Sequence, residues 1–528
     1  MFQRFRNLFL RASVVTLLLL GVLAACGAPS PTPVIVPTNV PSLTLDTPTP
    51  RVVNPTLPTA PTTAPTAQAP TAIAPTEISQ PTAVPSPAPT QVPAPPQARA
   101  PEAFFGVNTN GEILYNEQAR ALAILAGVQM VRTSIGWGNV ERNKGEYKWV
   151  GADNTIKALV DNHFTPLVLI LENPTWASNS PCGPVNDLPA FDQFLRRAVA
   201  RYPQVKYWVL YNEPDDAHYP QHVAGGCFGG QDINGNGRAD IQDYAEQLRI
   251  ARRAVHETNP NALLVMGALA LDNFDEASAP PGYPGGGRGG VFNARFLPEL
   301  LAHMQANPLP NGERYFDVIS FNFYAIYGPY WQSQAEGISV AAKTNYVRKL
   351  LSDAQMNVPL MVGETGEDAY SIGNEAQSEN GVKTFVRGLA SGLTHVVWWT
   401  FQDFADSSPP PRNTWKYGLL DQDGKPKPMY AAYQNVSKQL TGAVFLQALQ
   451  VQGGEGYLFE KAGAGIGVVW SSTDAPVTIA FSAQTLQVTD MYGGVRALVD
   501  GAADDHDGAV GRIGVQVNKN PMYVQVAQ

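Results

Sequence analysis

The chain has 528 residues, of which 44% are hydrophobic and 15% charged, with 45 Pro, 47 Gly, 3 Cys and a formal net charge of −9. No Lys/Arg stripe runs along it, so a nucleic-acid partner is excluded as the main reading, because duplex binding needs many cations on phosphates. About half of the prolines fall between Pro29 and Pro101, a stretch that cannot build a packed core. The remaining residues, about 430, suit one large barrel and one small domain.

The N-terminus reads as an export signal. Arg4, Arg6 and Arg11 precede the apolar run Val14 to Leu23, and the segment closes Leu23-Ala24-Ala25-Cys26-Gly27. Small residues ahead of a Cys resemble the bacterial lipobox, which implies lipidation of Cys26 and a lipid-anchored protein on the extracytoplasmic face of the cell membrane. An ordinary signal peptide or a short membrane anchor are the alternatives. The leader is bounded at 1–26. Residues 27–101 repeat Pro-Thr, Ala-Pro-Thr and Pro-Ala-Pro, a composition that favours extended polyproline II and acts as a spacer. No apolar run of about 20 residues follows the leader. If Cys26 carries lipid, Cys182 and Cys227 remain, and export permits a disulfide between them; two buried free thiols are the alternative.

From Phe104 onward short apolar runs alternate with helical periods. Predicted strands are Phe104 to Val107, Met130 to Ser134, Pro166 to Leu171, Lys206 to Tyr211, Leu263 to Gly267, Asp317 to Phe323, Leu360 to Gly363 and His395 to Thr400. Helices are predicted between them, near 116–127, 153–162, 191–202, 244–258, 292–305, 340–354 and 382–391, with a last one at 429–440. Near-continuous apolar strands imply burial on both faces, as parallel sheets require. Eight strand–helix units over 102–441 predict an α/β fold, a (β/α)8 TIM barrel. An open doubly wound sheet ranks second, since no Gly-rich phosphate fingerprint follows the first strand; no organic cofactor is expected. The stretch 442–528 has short strands at 456–459, 465–470, 477–481, 486–490 and 522–526 with turns between them, and predicts a small C-terminal antiparallel β-sandwich.

Barrel chemistry sits where strands end at their C-termini, so the polar residues there matter most. Strand four ends Tyr211-Asn212-Glu213-Pro214 and strand seven ends Gly363-Glu364-Thr365-Gly366. Either motif alone can be a turn; together they put two carboxylates on one rim. Further pieces are Arg132, Trp137, Glu141, Gly145-Glu146-Tyr147 and Trp149 after strand two. Pro174-Thr175-Trp176-Ala177 follows strand three, and Trp399-Thr400-Phe401-Gln402-Asp403 closes strand eight. With these residues the chain resembles a retaining glycoside hydrolase of clan A, near families 5 and 39, over Phe104 to about Leu440.

The resemblance implies Glu213 as acid/base and Glu364 as nucleophile in cleavage of a β-linked oligo- or polysaccharide. It also implies that Asn212 binds the sugar 2-hydroxyl, that Tyr324 touches Glu364, and that Trp399 is the platform under the sugar ring. Arg132 is expected to hold Glu364 ionised, or else to form a structural ion pair. Relatives often read Ser-x-His-x-Tyr at strand six; this chain has Ser320-Phe321-Asn322-Phe323-Tyr324, with Asn322 in place of His. Trp137 and Trp176 are further stacking candidates, with core packing as the alternative for each. Trp398 is expected to face outward by strand alternation. His163, His303 and His395 have no ligand spacing and read as structural.

Between strand four and its helix runs Asp232-Ile233-Asn234-Gly235-Asn236-Gly237-Arg238-Ala239-Asp240-Ile241-Gln242-Asp243. Oxygen-bearing side chains fall at positions 1, 3, 5, 9 and 12, a carbonyl is available at 7 (Arg238), and Gly stands at 6, the pattern of an EF-hand calcium loop. Asp243 replaces the usual Glu, and a metal-free turn cluster is the alternative. Partners by this reading are a carbohydrate and, through the anchor, a membrane, with the chain a monomer. A non-catalytic carbohydrate-binding lipoprotein, a transporter-linked solute-binding lipoprotein and a structural stalk protein are the competing functions.

Overall fold

The computed structural model describes residues 100–230, 232–270, 292–293, 295–324, 339–408 and 412–526. The leader, Cys26, nearly all of the 27–101 linker and the Gly- and Pro-rich stretch 279–290 lie outside the described residues. Among those described, no helix is long and apolar enough to cross a membrane.

Eight parallel strands close into a barrel in sequence order: β1 Phe105–Asn108, β2 Met130–Gly136, β3 Thr165–Leu171, β4 Tyr207–Leu210, β5 Leu263–Leu269, β6 Val318–Phe323, β7 Leu360–Thr365 and β8 Val396–Trp398. Pairing of β1 with β8 completes the ring. Strand alternation divides the apolar residues into two cores. Leu167, Leu169, Val209, Val265, Val318, Met361 and Val397 fill the barrel interior. Val168, Ile170, Trp208, Leu210, Ile319 and Val362 face the surrounding helices. This double burial is why the strands read as continuous apolar runs.

The expected helix at 382–391 starts earlier, at Asn374, and runs to Ala390. Its first turns bury Gln377, Ser378 and Glu379, so no apolar period marks them; Lys383 meets Glu379 there at 2.6 Å.

The C-terminal part is all antiparallel. It comprises β9 Val444–Leu449, β10 Gly454–Lys461, β11 Ala464–Ser471, β12 Val477–Ser482, β13 Thr485–Thr489, β14 Val495–Val499, β15 Arg512–Val517 and β16 Met522–Val526. Six of them form a sheet ordered β14-β13-β16-β11-β10-β9, and β12 pairs with β15. Leu458, Ile479, Phe481, Leu486, Leu498, Ile513 and Val515 make their own core. Three strands, β9, β14 and β15, were not predicted. In β14 only Leu498 is buried, so the segment carries almost no period-2 signal. Arg387 of the barrel donates to Glu455 at 2.8 Å, and Asn435 donates to the carbonyl of Asp490 at 3.0 Å, tying the two parts together.

Candidate active site

Two local distortions carry the carboxylates to the rim. In β4, Val209 points inward and Leu210 outward, but Tyr211 also packs with the outer core. The backbone turns there, with φ of 64° at Tyr211 and 44° at Glu213, values uncommon for residues bearing a side chain. The turn needs Gly267 beside it, because a Cβ at that position would stand 2.6 Å from the Leu210 carbonyl oxygen and 2.9 Å from that of Tyr211. Glu213 is then held by its N–H donating to the Ala268 carbonyl at 2.8 Å.

In β7, Met361 points inward and Val362 outward, so strict alternation would send Glu364 outward. Instead Phe321 pairs with Val362 and the next residue, Asn322, pairs with Glu364, leaving Gly363 as an extra residue. The same extra residue shifts the register against β8. This bulge re-aims Glu364 into the barrel mouth. A side chain at position 363 would meet Ser320 Oγ at 2.6 Å and Ala268 Cβ at 2.7 Å, so Gly is required.

The side chains form one hydrogen-bonded network. Arg132 Nη1 lies 2.6 Å from Glu364 Oε1 and 3.1 Å from Asn108 Oδ1, and its Nη2 donates to Asn212 Oδ1 at 2.7 Å. Asn212 in turn donates to the Ala224 carbonyl at 2.8 Å. Tyr324 donates its hydroxyl proton to Glu364 Oε2 at 3.0 Å. Asn322 Nδ2 reaches both carboxylates, Glu213 Oε1 at 2.8 Å and Glu364 Oε2 at 3.4 Å. Two acceptors of one nitrogen at those lengths lie within about 6 Å of each other.

Burial, then the charges of Glu364 and Asp215, push the Glu213 carboxyl well above the usual range, against the pull of Asn322 and Arg132. Burial and the carboxyls of Glu364 and Glu213 raise the Tyr324 phenol, keeping it a donor. The arrangement therefore sets a carboxyl that holds its proton more tightly than usual beside an Arg-paired one on the same rim.

The aromatic expectations divide. Trp399 is half-buried, with its ring centroid 5.1 Å from Tyr417, 5.5 Å from Trp415 and 5.8 Å from Phe404, and Tyr417 also touches Tyr324 at 6.1 Å. Trp398 is wholly buried, stacked on Phe385. Trp137 requires correction as a stacking candidate. It is 0% exposed, packs on Phe194 at 5.3 Å and donates to Glu141 at 2.7 Å, so no ring face remains for a sugar. Trp176 keeps a partly exposed ring, and its indole N–H donates to the Glu141 carbonyl at 3.0 Å.

Sequence reasoning passed over three residues. Asn108 closes β1 as a polar side chain, a signal of the same kind that singled out Arg132 on β2. Tyr417 follows β8 in a loop without motif. Glu367, three residues after Glu364, is 8% exposed and pushed up to about 8 by burial.

The long loop after β4 carries Cys227 and the predicted calcium residues. Cys227 is joined in a disulfide to Cys182, in the loop after β3, with Cα atoms 5.2 Å apart. Asp232 accepts the backbone N–H groups of Asn236 and Gly237, each at 2.9 Å. Asn236 donates to Asp243 at 2.8 Å, and Arg238 pairs with Asp243 at 3.3 Å. Asn234 accepts from Asn179 at 3.0 Å, and Asp240 accepts the Ile233 N–H at 2.7 Å. Among the described residues, no three His, Cys, Asp or Glu side chains already stand around one point.

No family model and no curated protein matches the chain. Solved structures do resemble it. A family 39 glycoside hydrolase from the gut symbiont Bacteroides cellulosilyticus WH2 superposes with a TM-score of 0.60 at 19% identity, covering 81% of this chain and 81% of that one. A family 39 β-xylosidase from Caulobacter crescentus gives 0.51 at 16% identity, covering 82% and 98%. A family 30 endoxylanase from Clostridium papyrosolvens C71 gives 0.51 at 13%, also covering 82% and 98%. At such identities the likeness is one of architecture, and it agrees with the strand order: this chain is a closed eight-stranded α/β barrel carrying a separate antiparallel domain.

Proposed function

We propose that the protein hydrolyses O-glycosidic bonds in a β-linked oligo- or polysaccharide by double displacement with retention, outside the cytoplasm, and that lipid on Cys26 tethers it. One observation carries this reading: a single amide nitrogen, Asn322 Nδ2, reaches both Glu213 and Glu364. A bound of about 6 Å between the two acceptors supports the close spacing of retaining enzymes and leaves little room for the water that inverting enzymes hold between their carboxylates. Structural neighbours that are a β-xylosidase, a glucosidase, an endoxylanase and a xylanase favour a glycan substrate.

Glu364 attacks the anomeric carbon as the bond to the leaving oxygen breaks, and the Glu213 proton passes to that oxygen. Arg132 and Tyr324 hold the attacking carboxylate in place. In the second half Glu213 takes a proton from water, whose oxygen displaces Glu364 from the sugar. Once Glu364 is an ester its charge no longer raises Glu213, which suits that group to act as base. Asn212, fixed by Arg132, is placed to meet a sugar hydroxyl beside the bond being broken.

The test is a panel of aryl β-xylosides, β-glucosides and longer β-glycans with wild type, Glu213→Ala and Glu364→Ala. Loss of general acid–base assistance costs about 10²–10⁴ in rate on poor leaving groups. Azide should rescue Glu213→Ala with a β-glycosyl azide as product. Full turnover by Glu364→Ala, or an inverted first-formed sugar, would sink the mechanism. The tether is tested separately: Cys26→Ser should release the protein from membranes.

A further inference from the structure

We propose that residues 232–243 form a calcium site that fixes the loop and helix following β4, and through them the end of the strand that carries Glu213. The inference does not depend on the hydrolase reading.

The donors are all oxygen, the choice of a hard dication. They are the carboxylates of Asp232, Asp240 and Asp243, the amide oxygens of Asn234 and Asn236, and the Arg238 carbonyl. Because amide and carbonyl oxygens share the work, the carboxylates need not cluster by themselves. Gly235 and Gly237, at positions 4 and 6, have φ of 63° and 78°, so the chain winds tightly where such a loop must wrap.

The independent observation is Asp240, at position 9. It is 0% exposed; one oxygen takes the Ile233 N–H from across the loop, and the other, Oδ2, is buried with no hydrogen-bond partner. The cation paired within the segment is Arg238, half exposed and 3.3 Å from Asp243. A buried carboxylate oxygen left open in a segment of oxygen donors is a place for a missing cation.

The site is wired to the rim. The helix Asp240–Thr258 starts inside the loop. One turn on, the Tyr244 hydroxyl donates to the Leu210 carbonyl at 3.2 Å and accepts the Gly267 N–H at 3.0 Å. Gln247 donates to the Tyr211 hydroxyl at 2.9 Å and accepts the Val185 N–H at 2.8 Å. These are the residues beside the turn that presents Glu213. The Cys182–Cys227 bridge and the Asn179–Asn234 bond clip the same loop to its neighbour after β3.

The experiment uses the full chain stripped with EDTA and titrated with calcium chloride alone, followed by calorimetry and by amide hydrogen exchange. One site should appear, with Kd in the range of about 10⁻⁶–10⁻³ M. Peptides spanning 208–247 should exchange at least tenfold more slowly with calcium, and Tm should rise. Asp232→Ala, at an exposed residue, should stay folded by circular dichroism and lose the heat signal; Asp243→Asn should weaken it. No binding by the folded wild type at 10 mM calcium, or undiminished binding by Asp232→Ala, would overturn the site. Binding without slower exchange at 208–213 would overturn the coupling to β4.

Discussion

Removing the negative charge at Glu364 should change how stability depends on pH, through its effect on Glu213. The two carboxylate oxygens that share Asn322 lie within about 6 Å. At that separation and an effective dielectric of about 20, two unit charges repel by about 3 kcal/mol. Burial also raises Glu213, so its carboxyl keeps a proton in the folded chain where the unfolded chain has lost it. The sign follows from that difference. Stability from this group is fully present below the unfolded value of 4.5 and is lost as pH climbs through the raised folded value. In Glu364→Gln the repulsion is gone, so the loss as pH climbs from the unfolded value through the raised folded value should be smaller by up to about 3 kcal/mol. The variant also strands the buried Arg132, which lowers stability by roughly 3–5 kcal/mol at every pH. The slope, not the level, is therefore the readout. Urea unfolding of both proteins at half-unit pH steps measures it. Parallel curves would refute the coupling, and with it the claim that the pair shares one electrostatic site.

Glu367, pushed up to about 8 by burial, should cost about 1.4 kcal/mol of stability per pH unit between 4.5 and 8, so Glu367→Gln should flatten the Tm profile in that window and leave it unchanged below pH 4. The bridge between Cys182 and Cys227 closes a separation of 45 residues, and the Cys182→Ala/Cys227→Ala double variant should lose about 4 kcal/mol in urea unfolding under oxidising conditions; a loss under 1 kcal/mol would mean that other contacts hold the loop. Trp137→Ala should cost about 3–5 kcal/mol with KM within twofold of wild type, whereas a large rise in KM at unchanged stability would return the ring to substrate binding.

The amino-acid order by itself determined the alternation of eight strands and their helices, because a strand buried on both faces must be apolar at every position. It also determined that a Glu ends strands four and seven, and it left two cysteines to pair. It could not show β14, whose side chains mostly face solvent, nor the first turns of the helix Asn374–Ala390, whose buried side chains Gln377, Ser378 and Glu379 are polar. Nor could it tell Trp137, sealed against Phe194, from Trp399, half open at the rim. The direction of Glu364 lay furthest from reach. Period-2 alternation points it away from the barrel mouth, and only the extra residue at Gly363, placed by pairing with β6 and β8, turns it back. Periodicity reports the burial of neighbours a few residues away. Bringing Arg132, Glu213, Asn322 and Glu364 within hydrogen-bonding reach needed the barrel to close, which is a property of the whole ring of strands and of none of them alone.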